Sequence, residues 1–386
     1  MLRNLQFALF GLLMLGGVKA GAAAPPQTVP VIYSSDLHHP HVDPDDHFDL
    51  ATLFALPELD VRAVILDCGA HQLEAPGSIP VRQMLRITGR DVPFTIGLGK
   101  PLQSPEDPGT DQSADFQGAV ELILKTLRAS DRAVTIFATG SLRDVAAAFN
   151  RDENLFRSRV ARIYANIGNP ASGREFPDDE YNVGLDRNAY VRIMNAGLPV
   201  YWCPCFDGAV WQRGRHGTYW KFRHADVLES APKALQNFYI FALTKPQGVD
   251  PLDFLSATPK PEDRAAVWNM SRAMWCTAPF FHAAGRRIYA KGDADWQALA
   301  DTKTGDATNA ERPVDVFDFV PVRLQAEKVK SGAIQVTFAS DPKSPATVFE
   351  IHDERYEPIM TACLKHLLAG IPVAEQASPP PISPGK

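Results

Sequence analysis

Short apolar runs alternate with amphipathic stretches from residue 29 onward, and this alternation limits the possible folds more than any other feature. Val29 to Tyr33, Val61 to Leu66, Ala133 to Ala138, Arg162 to Ala165 and Pro199 to Cys203 read as buried strands. Asp46 to Leu56, Val81 to Ile87, Ala114 to Arg128 and Leu142 to Phe149 read as helices. Strand and helix in alternation need a parallel sheet covered on both faces. The expected fold is therefore α/β, a doubly wound and mostly parallel sheet in a single domain with a helical C-terminal part. Helices are expected there at Pro232 to Leu243, Glu262 to Cys276 and Arg355 to Ala369, with late strands at Ile334 to Phe338 and Val348 to His352. Such sheets bind ligands outside the carboxyl ends of their strands. That rule selects the loops after Tyr33, Leu66, Ala138, Ala165 and Cys203.

The chain has 386 residues, 45% hydrophobic and 22% charged, which is the composition of a globular protein. Its formal net charge of −6 offers no basic face for a nucleic-acid partner. Met1-Leu2-Arg3, the apolar run Leu5 to Val18 and the small residues before Ala24 read as a secretory signal peptide over 1–24. A retained N-terminal anchor is the alternative. On the first reading the mature protein is periplasmic or secreted and has no membrane span. Residues 373–386 are rich in Pro and Ser and read as a frayed tail. The five cysteines, Cys68, Cys203, Cys205, Cys276 and Cys363, are an odd number. At least one thiol stays unpaired, and buried packing residues are the expectation.

The densest chemistry lies in the loop after the first strand. Between Asp36 and Asp49 fall five carboxylates (Asp36, Asp43, Asp45, Asp46 and Asp49) and four histidines. Packed like charges need a counter-charge or open water. A hard divalent cation held by carboxylate and carbonyl oxygens supplies one. The histidines keep a zinc or iron site open. A solvated turn in which Asp43 or Asp45 caps the helix is the plain alternative.

Asp45-Asp46-His47-Phe48-Asp49-Leu50 and the run through Pro57-Glu58-Leu59-Asp60-Val61 resemble the nucleoside hydrolase family, whose Asp-rich loop Asp-x-Asp-Pro-Gly-x-Asp-Asp opens an apolar helix. Phe137-Ala138-Thr139-Gly140-Ser141-Leu142-Arg143-Asp144 resembles the family's Thr-Gly-Pro-Leu-Thr-Asn segment, and Glu180-Tyr181-Asn182-Val183 resembles its Glu-Phe-Asn-Ile. The resemblance covers most of residues 25–372. It implies a calcium ion, with zinc or another divalent metal as the alternative, held by Asp36, Asp46, the Thr139 carbonyl and Asp43. It also implies that Asp45, Glu180 and Asn182 bind ribose hydroxyls and that Asp36 activates water as the catalytic base. Taken singly, Ser141 could just cap a helix, and Glu180 and Asn182 could share one face of a strand-like edge.

The chain departs from the family pattern twice. Ala70 falls where the family carries a ribose-binding Asn, and Asp67 or His71 could substitute. The late segment Met274 to His282 has no Asp where the family has a metal ligand. His282 could approach the site or be an ordinary satisfied histidine. The activity implied is calcium-dependent hydrolysis of a ribonucleoside or related ribosyl compound, a small-molecule partner. The alternatives are a sugar- or metal-binding protein without turnover, or a hydrolase with a His/Asp transition-metal site. A homo-oligomer is compatible with the sequence. Phe176, Trp202, Trp211 and Trp275 are the aromatic candidates for holding the base.

Overall fold

The computed structural model describes residues 28–40, 44–170, 180–292, 294–300, 312–330 and 332–374. The expected signal peptide, Asp43, Phe176 and the tail beyond residue 374 lie outside them. Fourteen strands run in chain order: β1 Val29–Ser35, β2 Leu59–Leu66, β3 Phe94–Ile96, β4 Val134–Ala138, β5 Val160–Asn166, β6 Val200–Cys203, β7 Trp220–Arg223, β8 Ser271–Met274, β9 Arg286–Ala290, β10 Trp296–Ala300, β11 Arg312–Val314, β12 Phe317–Lys328, β13 Ile334–Ser340 and β14 Thr347–Ile351. The first eight helices are α1 Asp45–Ala55, α2 Gly69–Gln72, α3 Ser78–Thr88, α4 Gly118–Ala129, α5 Arg143–Arg151, α6 Glu153–Arg159, α7 Tyr181–Leu185 and α8 Arg187–Met194. The later six are α9 His224–Leu228, α10 Lys233–Thr244, α11 Pro251–Phe254, α12 Pro261–Trp268, α13 Thr277–Ala283 and α14 Tyr356–Ala369.

Nine strands form one sheet in the order β13-β12-β14-β6-β5-β4-β1-β2-β3. Every neighbour pair from β14 to β3 is parallel, and β12 runs antiparallel to both β14 and β13. The α/β, mostly parallel expectation therefore holds. Side chains of a strand alternate between faces, and the two layers of core follow that rule. Val31 and Tyr33 of β1 and Phe137 of β4 enter the layer that includes α1, α10 and α14. Ile32, Ile136 and Ala138 enter the other, with α4, α5 and α8.

Two late readings need correction. Glu262 to Cys276 is not one helix: α12 ends at Trp268, and Ser271–Met274 is strand β8, paired antiparallel with β7. The late third also holds more strand than expected, including β12 and the small sheet β10-β9-β11. The expected helices at 232–243 and 355–369 are present as α10 and α14. No helix among the described residues is long and apolar enough to cross a membrane.

Helix α1 is the element that carries the acidic loop into the core. Its residues from Asp46 to Ala55 are all buried. Phe48 is fully buried and stacks on Tyr239 of α10 with ring centroids 4.1 Å apart. Cutting that ring back leaves a cavity that rigid neighbours cannot fill. Phe48→Ala should therefore lower the unfolding free energy by about 3–5 kcal/mol, measured by urea denaturation.

Candidate active site

The strand register brings the expected loops to one edge of the sheet. Ser35 lies opposite Leu66, Ser34 opposite Ala138, Ala138 opposite Ala165, and Asn166 opposite Cys203. Asp36, Asp67, Thr139, Gly168 and Cys205 thus leave the sheet at the same end. From β1 the chain steps outward to β2 and β3, then returns to β4 on the other side of β1. Loops that diverge at such a reversal leave a crevice between them. Gly140 lets the two loops approach, since a Cβ there would stand 2.7 Å from Asp67 Oδ2 and 3.0 Å from the Asp36 nitrogen.

Asp46 sits in the first turn of α1, where the helix dipole favours negative charge. Its Oδ1 accepts from Ser35 Oγ at 2.6 Å and lies 3.2 Å from Thr139 Oγ1. The Thr139 carbonyl accepts from Asn182 Nδ2 at 3.3 Å, and the same amide donates to the Asn166 carbonyl at 3.0 Å. Glu180 is not on a strand. It is the N-cap of α7, accepting from the backbone nitrogens of Asn182 (3.1 Å) and Val183 (3.3 Å), and from Gly168 N at 2.8 Å. The Cys205 thiol also donates to it.

Asp45 does not cap α1: the N-cap is Pro44, without a side-chain hydrogen bond. The charge of Asp45 reaches Cys205, Cys276 and Tyr181, which border the crevice. Tyr181 is 69% exposed, and burial of its hydroxyl, then the charges of Asp36, Asp46 and Asp45, push the phenol up to about 12. Ser141 is not a helix cap either, since α5 begins after Leu142, although Ser141 Oγ accepts from Arg143 N at 3.1 Å.

The crevice is strongly negative. Burial first, then the charges of Asp46, Asp67 and Glu180, hold the Asp36 carboxyl well above the usual carboxylate range. Burial also raises Glu180, against the N–H donors that lower it. Asp67 faces the crevice with Oδ1 accepting from Cys68 N and Oδ2 from Ser141 N, both at 2.6 Å. A cation relieves such crowding. The donors that meet here are the carboxylates of Asp36 and Asp46 and the Thr139 carbonyl, all hard oxygens, and they fit a hard divalent ion. Among the described residues, no group of three or more His, Cys, Asp or Glu side chains surrounds one metal position.

The described loop histidines disperse. His38 Nδ1 is 3.2 Å from the Asp36 carbonyl and its ring meets His71 edge-on at 4.6 Å. His39 stacks on Phe241, and His47 packs on Phe238. His282 is the ordinary satisfied histidine: its Nδ1 lies 2.6 Å from Tyr164 Oη, and burial, then Arg162, holds it down to about 4.

Arg143 and Cys276 were not singled out from the sequence for a role here, whereas Trp202, Trp211 and Trp275 were. Arg143, 4% exposed, pairs with Asp186 at 3.1 Å and donates to the carbonyls of Leu98 and Leu185. Burial alone would lower its pKa, but the charges of Asp67, Asp186 and Asp144 outweigh that. Cys276 is the N-cap residue of α13 and its thiol donates to Asp49. Trp275 Nε1 donates to the Cys205 carbonyl at 3.0 Å, and its ring joins Phe206, Trp211 and Tyr219 in one aromatic cluster. Trp211 is 53% exposed, whereas Trp202 lies in the core, donating to the Ile167 carbonyl. All five cysteines are free, and all but Cys68 are buried.

The family model described as inosine-uridine preferring nucleoside hydrolase matches residues 40–281. A pyrimidine-specific ribonucleoside hydrolase, RihA, of Citrobacter koseri is 32% identical over 189 residues, covering 45% of this chain and 58% of that protein. The RihA of Escherichia coli is 29% identical over 188 residues with the same coverage. The chain thus spans little more than half the length of the curated relatives it matches. A solved plant nucleoside hydrolase shares the fold with TM-score 0.50 and 16% identity, over 89% of this chain and 99% of that one.

Two outcomes follow from the buried charges. Arg143→Met leaves Asp186 buried without its charged partner, so unfolding free energy in urea should fall by about 3–5 kcal/mol. Asp144 is held up to about 7 by burial, then by Asp67, from an ordinary 3.8. A raised carboxyl stabilises the fold fully below its unfolded value and loses that contribution as pH rises through its folded value. The stability of Asp144→Asn relative to the parent should therefore grow between pH 4 and pH 8 in urea titrations.

Proposed function

The chain belongs to the inosine-uridine preferring nucleoside hydrolase family, and from that premise we propose that it hydrolyses the N-glycosidic bond of a ribonucleoside or a related ribosyl compound. The observation that carries this reading is the meeting of Asp36, Asp46 and Thr139 in the crevice between β1 and β4. Cleavage develops positive charge on the ribose ring, and negative groups beside it favour that state. Asp36 acts as the base. It takes a proton from water while the water oxygen bonds to C1′ and the bond from C1′ to the base nitrogen breaks. The bonding pair leaves with the nucleobase, which is released after gaining a proton.

Asp45, Glu180 and Asn182 hold ribose hydroxyls. Glu180 and Asn182 are already fixed by their hydrogen bonds to Gly168, Thr139 and Asn166, so little side-chain freedom is lost on binding. Asp36, Asp46 and the Thr139 carbonyl would hold a divalent cation, calcium in this reading because every donor is an oxygen. Such an ion would supply Lewis acidity there, lowering the pKa of water. The aromatic cluster around Trp275 lies beside Cys205 and offers flat apolar faces to a leaving base. The signal-like leader over 1–24 makes a periplasmic or secreted location part of the same proposal.

A second reading, binding of a sugar or cation without turnover, is favoured by one observation: a thiol, Cys276, rather than a carboxylate stands at the start of α13. Release of reducing sugar from uridine, cytidine, inosine and adenosine separates the two. Turnover should appear, and Asp36→Asn should cut it by roughly two to four orders of magnitude. Asp46→Ala should strip the bound metal in elemental analysis. Tight ribose binding with no sugar released from any nucleoside leaves the binding reading.

A further inference from the structure

We propose that Arg143 is a positioning residue for ribose binding: its guanidinium ties the turn that carries Thr139 to the end of the helix that carries Asn182, and so holds Asn182 in register with the crevice. This rests on the ribose-binding role given to Asn182 above. Arg143 acts through Asn182 and does not itself touch the substrate. The family segment Thr-Gly-Pro-Leu-Thr-Asn has Thr where this chain has Arg143, so the device belongs to this sequence.

Helix α7 needs outside support. It has five residues, Tyr181–Leu185, and only Val183 among them is buried. A helix that short forms too few backbone bonds to offset the cost of its nucleus. Its start is fixed by Glu180, which accepts from Gly168 N at 2.8 Å. Asn182 Nδ2 crosses to the β4 loop, 3.3 Å from the Thr139 carbonyl, longer than the usual range. The last carbonyls of a helix have no partner within it. Here Arg143 Nη2 donates to the Leu185 carbonyl at 2.8 Å, and Nε donates to Asp186 Oδ2 at 3.1 Å.

Arg143 reaches α7 from the other side of that long bond. It is the first residue of α5, four positions after Thr139. Its own turn is held by two bonds: Arg143 N donates to Ser141 Oγ, and Ser141 N donates to Asp67. Nη1 donates to the Leu98 carbonyl at 3.0 Å, while Leu98 N donates to Asp144, the next residue, at 2.8 Å. One planar fork thus joins the loops after β3 and β4 to the junction of α7 and α8. Neutralising Asp186 takes one arm of the fork. The other two go to backbone carbonyls on either side, and moving α7 away from Thr139 breaks the bond to Leu185. An ammonium is a point charge on a flexible stem and does not reproduce three such bonds at once.

Arg143→Lys keeps the charge beside Asp186 and loses the fork. Sugar release from uridine and inosine is measured on the full chain, at a temperature where circular dichroism shows every variant folded. In Arg143→Lys, kcat/KM should fall by about fivefold or more, with KM raised. Val336→Ala, a buried position on β13 at the far edge of the sheet, controls for lost stability alone and should stay within about twofold of the parent. A double-mutant cycle then separates positioning from general damage. Asn182→Ala should itself lower kcat/KM, and adding Arg143→Lys to it should cost less than about threefold more. A smaller fall in Arg143→Lys than this overturns the proposal, as does an equal fall in Val336→Ala. So does a larger further loss on the Asn182→Ala background, or parent activity in Asn182→Ala. If the parent releases no sugar, the hydrolase reading fails by itself. The same cycle is then run on ribose affinity by calorimetry, where equal affinity in parent and Arg143→Lys, or no ribose binding at all, overturns the positioning role as well.

Discussion

Repulsion among carboxylates at the ends of the parallel strands is the constraint around which the rest of the structure is arranged. Asp36, Asp46, Asp67 and Glu180 influence one another across a single crevice. The fold steadies them chiefly with neutral donors. Ser35 serves Asp46, the nitrogens of Cys68 and Ser141 serve Asp67, and Gly168, Asn182 and Val183 serve Glu180. Such donors favour the ionised form without cancelling its charge. The buried guanidinium of Arg143 pairs with Asp186 and also feels the charge of Asp67. The described side of the crevice thus remains rich in negative charge.

Holding the loops this tightly strains them. Cys68 and Leu142 both adopt left-handed backbone angles, with φ of 58° and 60°. A side chain with a Cβ disfavours that region by about 1–2 kcal/mol. Each residue stands next to a contact that defines the crevice: Cys68 follows Asp67, and Leu142 follows Ser141, whose nitrogen Asp67 accepts. Leu142 is buried against the apolar layer under α5, and that packing holds the turn. Two of the four left-handed non-glycine residues among the described residues thus fall in the same two loops as the buried charge.

The parallel half of the sheet was legible because each buried strand is a short apolar run followed by a helix-length segment. β1, β2, β4, β5 and β6 lie within two residues of where the pattern put them. The antiparallel end was not. β12 buries only Phe319, Val322 and Ala326 of its twelve residues and includes Pro321, so it carries little of the continuous apolar signal. β8 is four residues long and pairs only with β7, so it blended into the helix before it. Within the site, Asp45, Asp46, Thr139, Glu180 and Asn182 could be read from local motifs, each on its own segment. Arg143 could not, because it is defined by Leu98 and by Leu185 and Asp186, from two other segments.

The reversal of strand order beside β1 has a further consequence, in time rather than in space. Asp46 and Thr139 are 93 positions apart in the chain, and β2, β3 and α4 must be built between them before they can meet. A newly made chain therefore possesses the acidic loop but no crevice. Contacts of such long range form late, since loop closure must come first. A ligand that recognises only the assembled crevice would be unable to guide those steps; it would act afterwards, drawing the finished fold away from its unfolded competitors by mass action.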